Sequence, residues 1–177
     1  AADTGVSLKV KPVLPMVMRG VPATREKGIY IFSDAVREAH ELGMTFGKMA
    51  DPIGDPVRRC YSIYPWACEQ NRGNDLLSQF LKAAFVDGVN TNNDRGLQRV
   101  VEHAGLDWNQ AKSRIGESGW EALLEANRKE MYGFGCWGVP SFRLLDANGE
   151  QVLALWGQDR LWLFAREIKR LLAGEAV

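Results

Sequence analysis

Three cysteines and two histidines are the side chains of this sequence best suited to nucleophilic or metal chemistry. The cysteines are Cys60, Cys68 and Cys136, and their spacing forms neither a CxxC pair nor a common zinc-binding pattern. His40 and His103 fall in stretches of helical periodicity, far from any cysteine in sequence. The sequence therefore predicts no Cys/His nucleophilic pair and no metal site. We expect three partly buried structural thiols, because free cysteine is among the most buried residue types.

The amino-acid composition limits the classes of protein to which this chain can belong. The chain has 177 residues, 46% of them hydrophobic and 25% charged, which is ordinary for one globular domain with or without an insertion. Lys and Arg number 22, as do Asp and Glu, so no positive excess favours nucleic acid or an anionic membrane surface. No apolar run approaches the ~20 residues of a transmembrane helix, and the first ten residues do not resemble a signal peptide. The sparse, odd cysteine count suits a reducing compartment, so we expect a cytoplasmic location.

The first three quarters of the chain is predicted to be one strand followed by helices. Alternating apolar and polar residues predict a strand at Val6–Leu14. Apolar residues at helical spacing predict a helix from about Lys27 to Gly43. A block of further helices extends to Gly135, and one of them is predicted to run unbroken from Pro56 through RRCYSIYPWACEQ.

The pattern changes at GCWGVPSF, residues 135–142. Proline lacks an N–H group, so Pro140 cannot lie in the interior of a strand and suits only the position where the strand SFRLLD is about to begin. ANGE is a hairpin turn, in which Asn148-Gly149 is predicted to supply the positive φ angles of a type I′ turn. A returning strand, QVLALWG, leads to an amphipathic helix with Asp159 in its first turn.

The order of helix, GVP, hairpin and helix resembles the second half of a thioredoxin fold. More narrowly, KGIYIFSDAVREA, GVPSF and WGQDR are similar to the 2-hydroxychromene-2-carboxylate isomerase group of the DsbA superfamily, whose close relatives include kappa-class glutathione transferases. GVP alone is weakly specific, whereas GVP followed by WGQDR in this order of elements is more specific. The resemblance covers nearly the whole chain. It implies a thioredoxin-like α/β part from residues 1–32 and 136–177, with an inserted all-helical part at 33–135.

The resemblance also implies which residues bind glutathione as a cofactor. In that family a cis-proline follows the residue that hydrogen-bonds the cysteinyl backbone, which assigns this position to Val139 and Pro140. Gln158 and Asp159 of WGQDR would hold the γ-glutamyl end, because helix N–H groups suit a carboxylate and an aspartate suits an ammonium group. Lys27, in KGIY, matches a lysine that contacts the tripeptide in kappa-class relatives. Structural alternatives remain: Asp159 as a helix cap and Lys27 as a solvated surface residue.

One part of the thioredoxin frame has no counterpart in the sequence. The frame runs β-α-β-α-β-β-α, and Ser7–Leu14 corresponds to its second strand. The first strand and first helix, which carry the family's catalytic residue, are not matched. Roughly fifty further residues are therefore expected, in the same polypeptide or as a separate chain. They would fill a slot between Ser7–Leu14 and Ser141–Asp146.

Three functions are consistent with this resemblance and with the missing first strand and helix. The first is a glutathione-dependent isomerase or transferase that adds the glutathione thiolate to a small electrophilic substrate, with a hydroxyl from the missing segment stabilising the thiolate. The second is a DsbA-like thiol-disulfide oxidoreductase whose CxxC lies in that segment. The third is a non-catalytic binding domain. The resemblance also leaves a homodimer open, whereas no nucleic-acid or membrane partner is expected.

Overall fold

In a computed structural model of the chain, residues 5–174 are described, and they form eight α-helices, two strands and two short 3-10 turns. The helices are α1 (Arg25–Glu41), α2 (Asp55–Ser62), α3 (Tyr64–Glu69), α4 (Gly73–Phe85), α5 (Asp94–His103), α6 (Trp108–Arg114), α7 (Trp120–Gly133) and α8 (Leu161–Leu172). The strands are β1 (Ser141–Leu145) and β2 (Gln151–Trp156). The 3-10 turns are Met16–Arg19 and Gln158–Arg160.

Two compact units make up the described residues. One contains the residues up to Val10 together with Leu14–Leu123, and the other contains Lys11–Val13 and the chain from Leu124 onward. The first unit therefore holds α1 to α6, and the second holds most of α7, the β-hairpin and α8. The division at residues 33 and 135 that the family resemblance implies stays a prediction.

The core of the first unit lies among α2 to α6. Its fully buried side chains have less than 2% of their surface exposed and include Ile63, Leu76, Leu97 and Val100. The apolar positions of α4 and α5 recur three and four residues apart, so one face of each helix enters this core. Among the described residues, no helix is long and apolar enough to cross a bilayer. The cytoplasmic location stays a prediction.

The prediction of one long helix starting at Pro56 is wrong in one respect, because the chain forms two helices there. α2 ends at Ser62 and α3 begins at Tyr64, with Ile63 between them. Pro65 occupies the first turn of α3, where its missing N–H has no intrahelical partner to lose. A proline in the interior of a continuous helix would have removed a backbone hydrogen bond, and a new helix start avoids that loss.

The strand predicted at Ser7–Leu14 does not form, and this prediction is wrong. The segment has no regular secondary structure, and side chains hydrogen-bond three of its carbonyl groups. The Tyr64 hydroxyl donates to the Val10 carbonyl at 3.4 Å, and the Asn127 amide donates to the Pro12 carbonyl at 2.8 Å. Arg19 Nε donates to the Leu14 carbonyl at 2.9 Å. A strand exists only when a neighbouring strand pairs with it, and no strand of the described chain does so here.

The β-hairpin is confirmed, although its turn differs from the predicted type I′ geometry. β1 and β2 are antiparallel, with Ser141 opposite Trp156 and Leu144 opposite Leu153. Gly149 has a positive φ of 86°, and no positive φ is found at Asn148. The Asp146 carboxylate instead accepts hydrogen bonds from the N–H groups of Asn148 and Glu150, and the register shifts between Leu144 and Leu145. A turn capped by Asp146, next to the register shift in β1, therefore replaces the predicted type I′ turn.

Candidate functional site

The Val139-Pro140 peptide bond lies between α7 and β1 and is cis, as predicted. Val139 is 55% exposed. Across residues 5–174, no hydrogen bond involves the N–H or the carbonyl group of Val139. One backbone donor and one backbone acceptor of this exposed residue therefore have no partner in the described chain, two residues before β1 begins at Ser141.

The hairpin brings the second predicted motif to this loop. Trp156 ends β2 opposite Ser141, and the Gly157 N–H then donates a hydrogen bond to the Pro140 carbonyl at 2.9 Å. Gln158 and Asp159 follow directly in the 3-10 turn that precedes α8. Four predicted site residues, Val139, Pro140, Gln158 and Asp159, are thus brought to one end of the hairpin in the second unit.

The Asp159 carboxylate is exposed and lies against the backbone of Gly157. A Cβ atom on Gly157 would overlap Oδ1 of Asp159. The side chain of Asp159 is 59% exposed, and its Oδ2 lies 4.0 Å from the Arg160 guanidinium. Arg160 itself donates a hydrogen bond to the Trp156 carbonyl at 2.7 Å. The carboxylate can therefore accept hydrogen bonds from a cationic ligand group at this surface.

Capping of the last helix does not account for Asp159. The N-cap position of α8 is Arg160, and no side chain makes a capping hydrogen bond there. The 3-10 turn before it begins after Gly157, again with no side-chain cap. The structural alternative for this residue is therefore not supported by the hydrogen bonds, since an N-cap aspartate would accept an N–H two or three residues on.

Two exposed tryptophans border the loop, and neither was singled out as a site residue from the sequence. The rings of Trp137 and Trp156 lie 4.4 Å apart between centroids, at an angle of 50°. They are 52% and 40% exposed. A Cβ on Gly138 would overlap the indole of Trp156, so glycine is needed for this close approach. The signal in the sequence is the pair of tryptophans in GCWGVP and LWGQDR.

Hydroxyl and thiol groups near the loop are already engaged or buried. The Ser141 hydroxyl donates to the Gly138 carbonyl at 2.5 Å. Cys136 is 7% exposed. The site can therefore bind a peptide backbone and a cation, but a group that activates a thiol is not found among the described residues around it. In the same described part, no cluster of three or more His, Cys, Asp or Glu side chains could hold a metal ion.

Lys27 belongs to the first compact unit. It lies in the first turn of α1, where its backbone N–H donates to Oγ1 of the N-cap residue Thr24 at 3.2 Å, and it is exposed. Its predicted contact with the bound tripeptide stays a prediction.

Comparison with known proteins identifies the family. The chain has the fold of a crystal structure of a probable DsbA oxidoreductase from Streptomyces coelicolor, with a TM-score of 0.65 and 20% sequence identity, covering 99% of this chain and 73% of that chain. Comparison with curated protein sequences gave no match. The family model of the DSBA-like thioredoxin domain matches residues 3–169. The chain therefore belongs to the DsbA-like thioredoxin family.

Proposed function

We propose that the protein is a glutathione-dependent isomerase or transferase of the DsbA-like family. The observation that supports this proposal is Val139, an exposed residue whose backbone groups have no hydrogen-bond partner within the described chain and which lies at the same hairpin end as the Asp159 carboxylate. The hydrogen bond from Gly157 to Pro140 links these two features. A tripeptide thiol offers a complementary pair of features, a peptide backbone beside its cysteine and a free ammonium group at its γ-glutamyl end.

Recognition would use two kinds of contact. The N–H and carbonyl groups of Val139 would pair with the carbonyl and N–H groups of the cysteinyl residue, in the manner of one antiparallel bridge. Asp159 would accept a hydrogen bond from the γ-glutamyl ammonium group, and Gln158 would donate its side-chain amide to the adjacent carboxylate. Both contacts lie away from the thiol, so they orient the ligand and leave its sulfur free to react.

Val139, Gln158 and Asp159 would hold the backbone and the γ-glutamyl end of glutathione, so that its sulfur would point at a bound substrate. The cofactor would supply a thiolate nucleophile for an electron-poor carbon of a substrate double bond. A transferase would release the conjugate, whereas an isomerase would release the thiolate again together with the rearranged double bond.

The group that stabilises the thiolate would come from a strand and helix that complete the sheet beside β1. Within the second unit, Glu130 of α7 forms an ion pair with Lys11 and also lies 3.9 Å from the guanidinium of Arg143 on β1. Side chains, rather than a backbone ladder, thus link Lys11 through Glu130 to Arg143 of β1. An inserted strand would pair with the edge of β1 that no strand of the described chain occupies, and would place the start of its helix near Val139.

A calorimetric titration with three ligands tests the proposal. Glutathione is expected to bind, and S-methylglutathione is expected to bind comparably because its backbone and ammonium group are unchanged. N-acetylglutathione, which lacks the ammonium charge, is expected to bind about tenfold more weakly. Absence of heat for glutathione up to about 10 mM would contradict the proposed cofactor.

A thiol-disulfide oxidoreductase is the second candidate, because the solved structure with the same fold is named a probable DsbA oxidoreductase. This function needs two cysteines that alternate between dithiol and disulfide. The three cysteines of this chain are free in the structure, and two of them are buried. Reduction of insulin disulfides by the protein in the presence of dithiothreitol, with no glutathione-dependent turnover of an electrophile, would favour this candidate.

A further inference from the structure

The turn between β1 and β2 contains the one asparagine of this sequence that is followed by glycine. Asn148 and Gly149 are both exposed. A backbone nitrogen approaches the side-chain amide of the preceding asparagine most easily when its own residue has no Cβ. A Cβ built on Gly149 would meet nothing within 4 Å, so no distant part of the described chain crowds this residue from that side. The turn therefore contains the two groups that cyclise when an asparagine loses its amide.

Asp146 holds both of these groups. Its carboxylate accepts hydrogen bonds from the side-chain amide of Asn148 at 3.4 Å and from the backbone N–H of Asn148 at 2.9 Å. Its carbonyl oxygen accepts a hydrogen bond from the Gly149 N–H at 3.1 Å. A further bond to the carboxylate, from the Glu150 N–H at 2.8 Å, closes the turn. The attacking nitrogen and the amide that leaves are thus bonded to one residue, so the reaction requires a local opening of the turn.

We propose that Asn148-Gly149 is a site of spontaneous deamidation and that Asp146 sets its rate. Asparagine is among the thermolabile residues of proteins. The Gly149 nitrogen, after giving its proton to hydroxide, bonds to Cγ of Asn148. The bond from Cγ to the amide nitrogen breaks, and ammonia leaves with a proton taken from water. The product of this step is a cyclic imide.

Water then opens the imide and returns a proton to the ring nitrogen. Attack of water at the side-chain carbonyl gives aspartate, whereas attack at the backbone carbonyl gives isoaspartate, in which the main chain passes through Cγ. Neither step needs an oxidant, a metal or a second protein. The proposal does not depend on the glutathione site.

Either product is expected to weaken the turn. A carboxylate at residue 148 would face the carboxylate of Asp146, so repulsion between like charges would replace a hydrogen bond. Isoaspartate also adds one atom to the main chain between the two strands, in a hairpin whose register already shifts between Leu144 and Leu145. Conversion should therefore lower the thermal stability of the protein.

Incubation of the native protein at mildly alkaline pH, followed by peptide mapping, tests the site. The peptide that contains Asn148 should gain the mass difference between an acid and an amide. It should also become a substrate for an isoaspartate-specific methyltransferase, at a rate that rises with hydroxide concentration. The other asparagines, of which Asn90 and Asn92 are also exposed, should stay unchanged over the same period. Asn148→Gln is the matched control, because its cyclisation needs a larger and less favourable ring.

Substitution of Asp146 tests the restraint. Asp146→Ala removes the hydrogen bonds to the carboxylate and should convert several-fold faster than wild type. Glu121→Ala, at an exposed carboxylate in the first turn of α7, is the control and should convert at the wild-type rate. Wild-type protein unfolded in urea supplies the unrestrained rate, so the comparison holds even where Asp146→Ala folds poorly.

Two sets of results would overturn the proposal. The site is wrong when Asn148 stays intact throughout, when Asn90 or Asn92 converts first, or when the amide is lost without isoaspartate. The role of Asp146 is wrong when the native wild type converts as fast as the urea-unfolded chain, or when Asp146→Ala converts no faster than wild type.

Discussion

The backbone N–H of Gly157 donates a hydrogen bond to the carbonyl oxygen of Pro140 at 2.9 Å. This bond closes the end of the hairpin where β1 begins and β2 ends. It places Val139, an exposed residue with no backbone hydrogen bond in the described chain, at the same hairpin end as the turn that carries Gln158 and Asp159. Two short motifs separated by a strand, a turn and a strand thereby form one surface.

Removal of the Asp159 charge should weaken glutathione binding about tenfold, because a charged hydrogen bond to the ammonium group is lost while the exposed position limits its strength. Asp159→Asn keeps the size of the side chain. Calorimetric titration of this variant should show similar affinities for glutathione and N-acetylglutathione, since the ammonium group has lost its partner. Glu150→Gln, in the turn at the other end of the hairpin, is the matched control. An unchanged affinity in Asp159→Asn would remove this residue from the site.

Gly157→Ala should lower the free energy of unfolding by about 1–3 kcal/mol, because its φ of 99° and ψ of 143° are strained for any residue with a Cβ. The new methyl group would also overlap the Asp159 carboxylate, so glutathione affinity should fall as well. Urea unfolding and calorimetry measure the two effects. Gly133→Ala is the control, since a Cβ there meets nothing within 4 Å and alanine favours the helix. Equal stability of the two variants would contradict this role of Gly157.

Thiol reactivity should distinguish Cys68 from the two other cysteines. Cys68 is exposed, whereas Cys60 and Cys136 are buried, and burial raises the pKa of the Cys60 thiol. One thiol per chain is expected to react rapidly with Ellman's reagent in the native protein, and all three after denaturation. In Cys68→Ser the rapid phase should disappear. A persisting rapid phase would mean that a buried thiol becomes accessible in the native state.

Alkaline pH should destabilise the protein partly through Tyr61. Burial raises the pKa of Tyr61 to about 12, and the charge of neighbouring Cys60 adds to this effect. The pKa of Tyr61 is higher in the folded state than its value of about 10 in the unfolded chain. The contribution of Tyr61 to stability is therefore fully present below pH about 10 and is lost as the pH rises toward 12. Urea unfolding between pH 9 and about 12 should therefore show a shallower decline for Tyr61→Phe than for wild type. Tyr30→Phe, at an exposed tyrosine, is the control and should follow the wild-type curve.

Local sequence was enough to predict the hairpin end that forms the candidate site. Two strands joined by a short turn must run antiparallel, so the residue before the first strand and the residue after the second meet. Pro140 and Gly157 stand at these two positions. The turn itself was mispredicted, because the Asp146 carboxylate binds the N–H groups of Asn148 and Glu150 and competes with a type I′ turn.

The sequence by itself determined the hairpin, the helices apart from the break at Ile63, and the grouping of Val139 with Asp159, since periodicity, proline, glycine and chain connectivity act over a few residues. Only the tertiary structure decided that Ser7–Leu14 is not a strand, because an alternating pattern predicts which face is apolar but not whether a partner strand lies beside it. It also decided that Ala39 of α1 is buried while Tyr30 and Ile31 stay exposed. Burial depends on residues distant in sequence, and hydrophobic side chains on three sides of α1 do not indicate which side is covered.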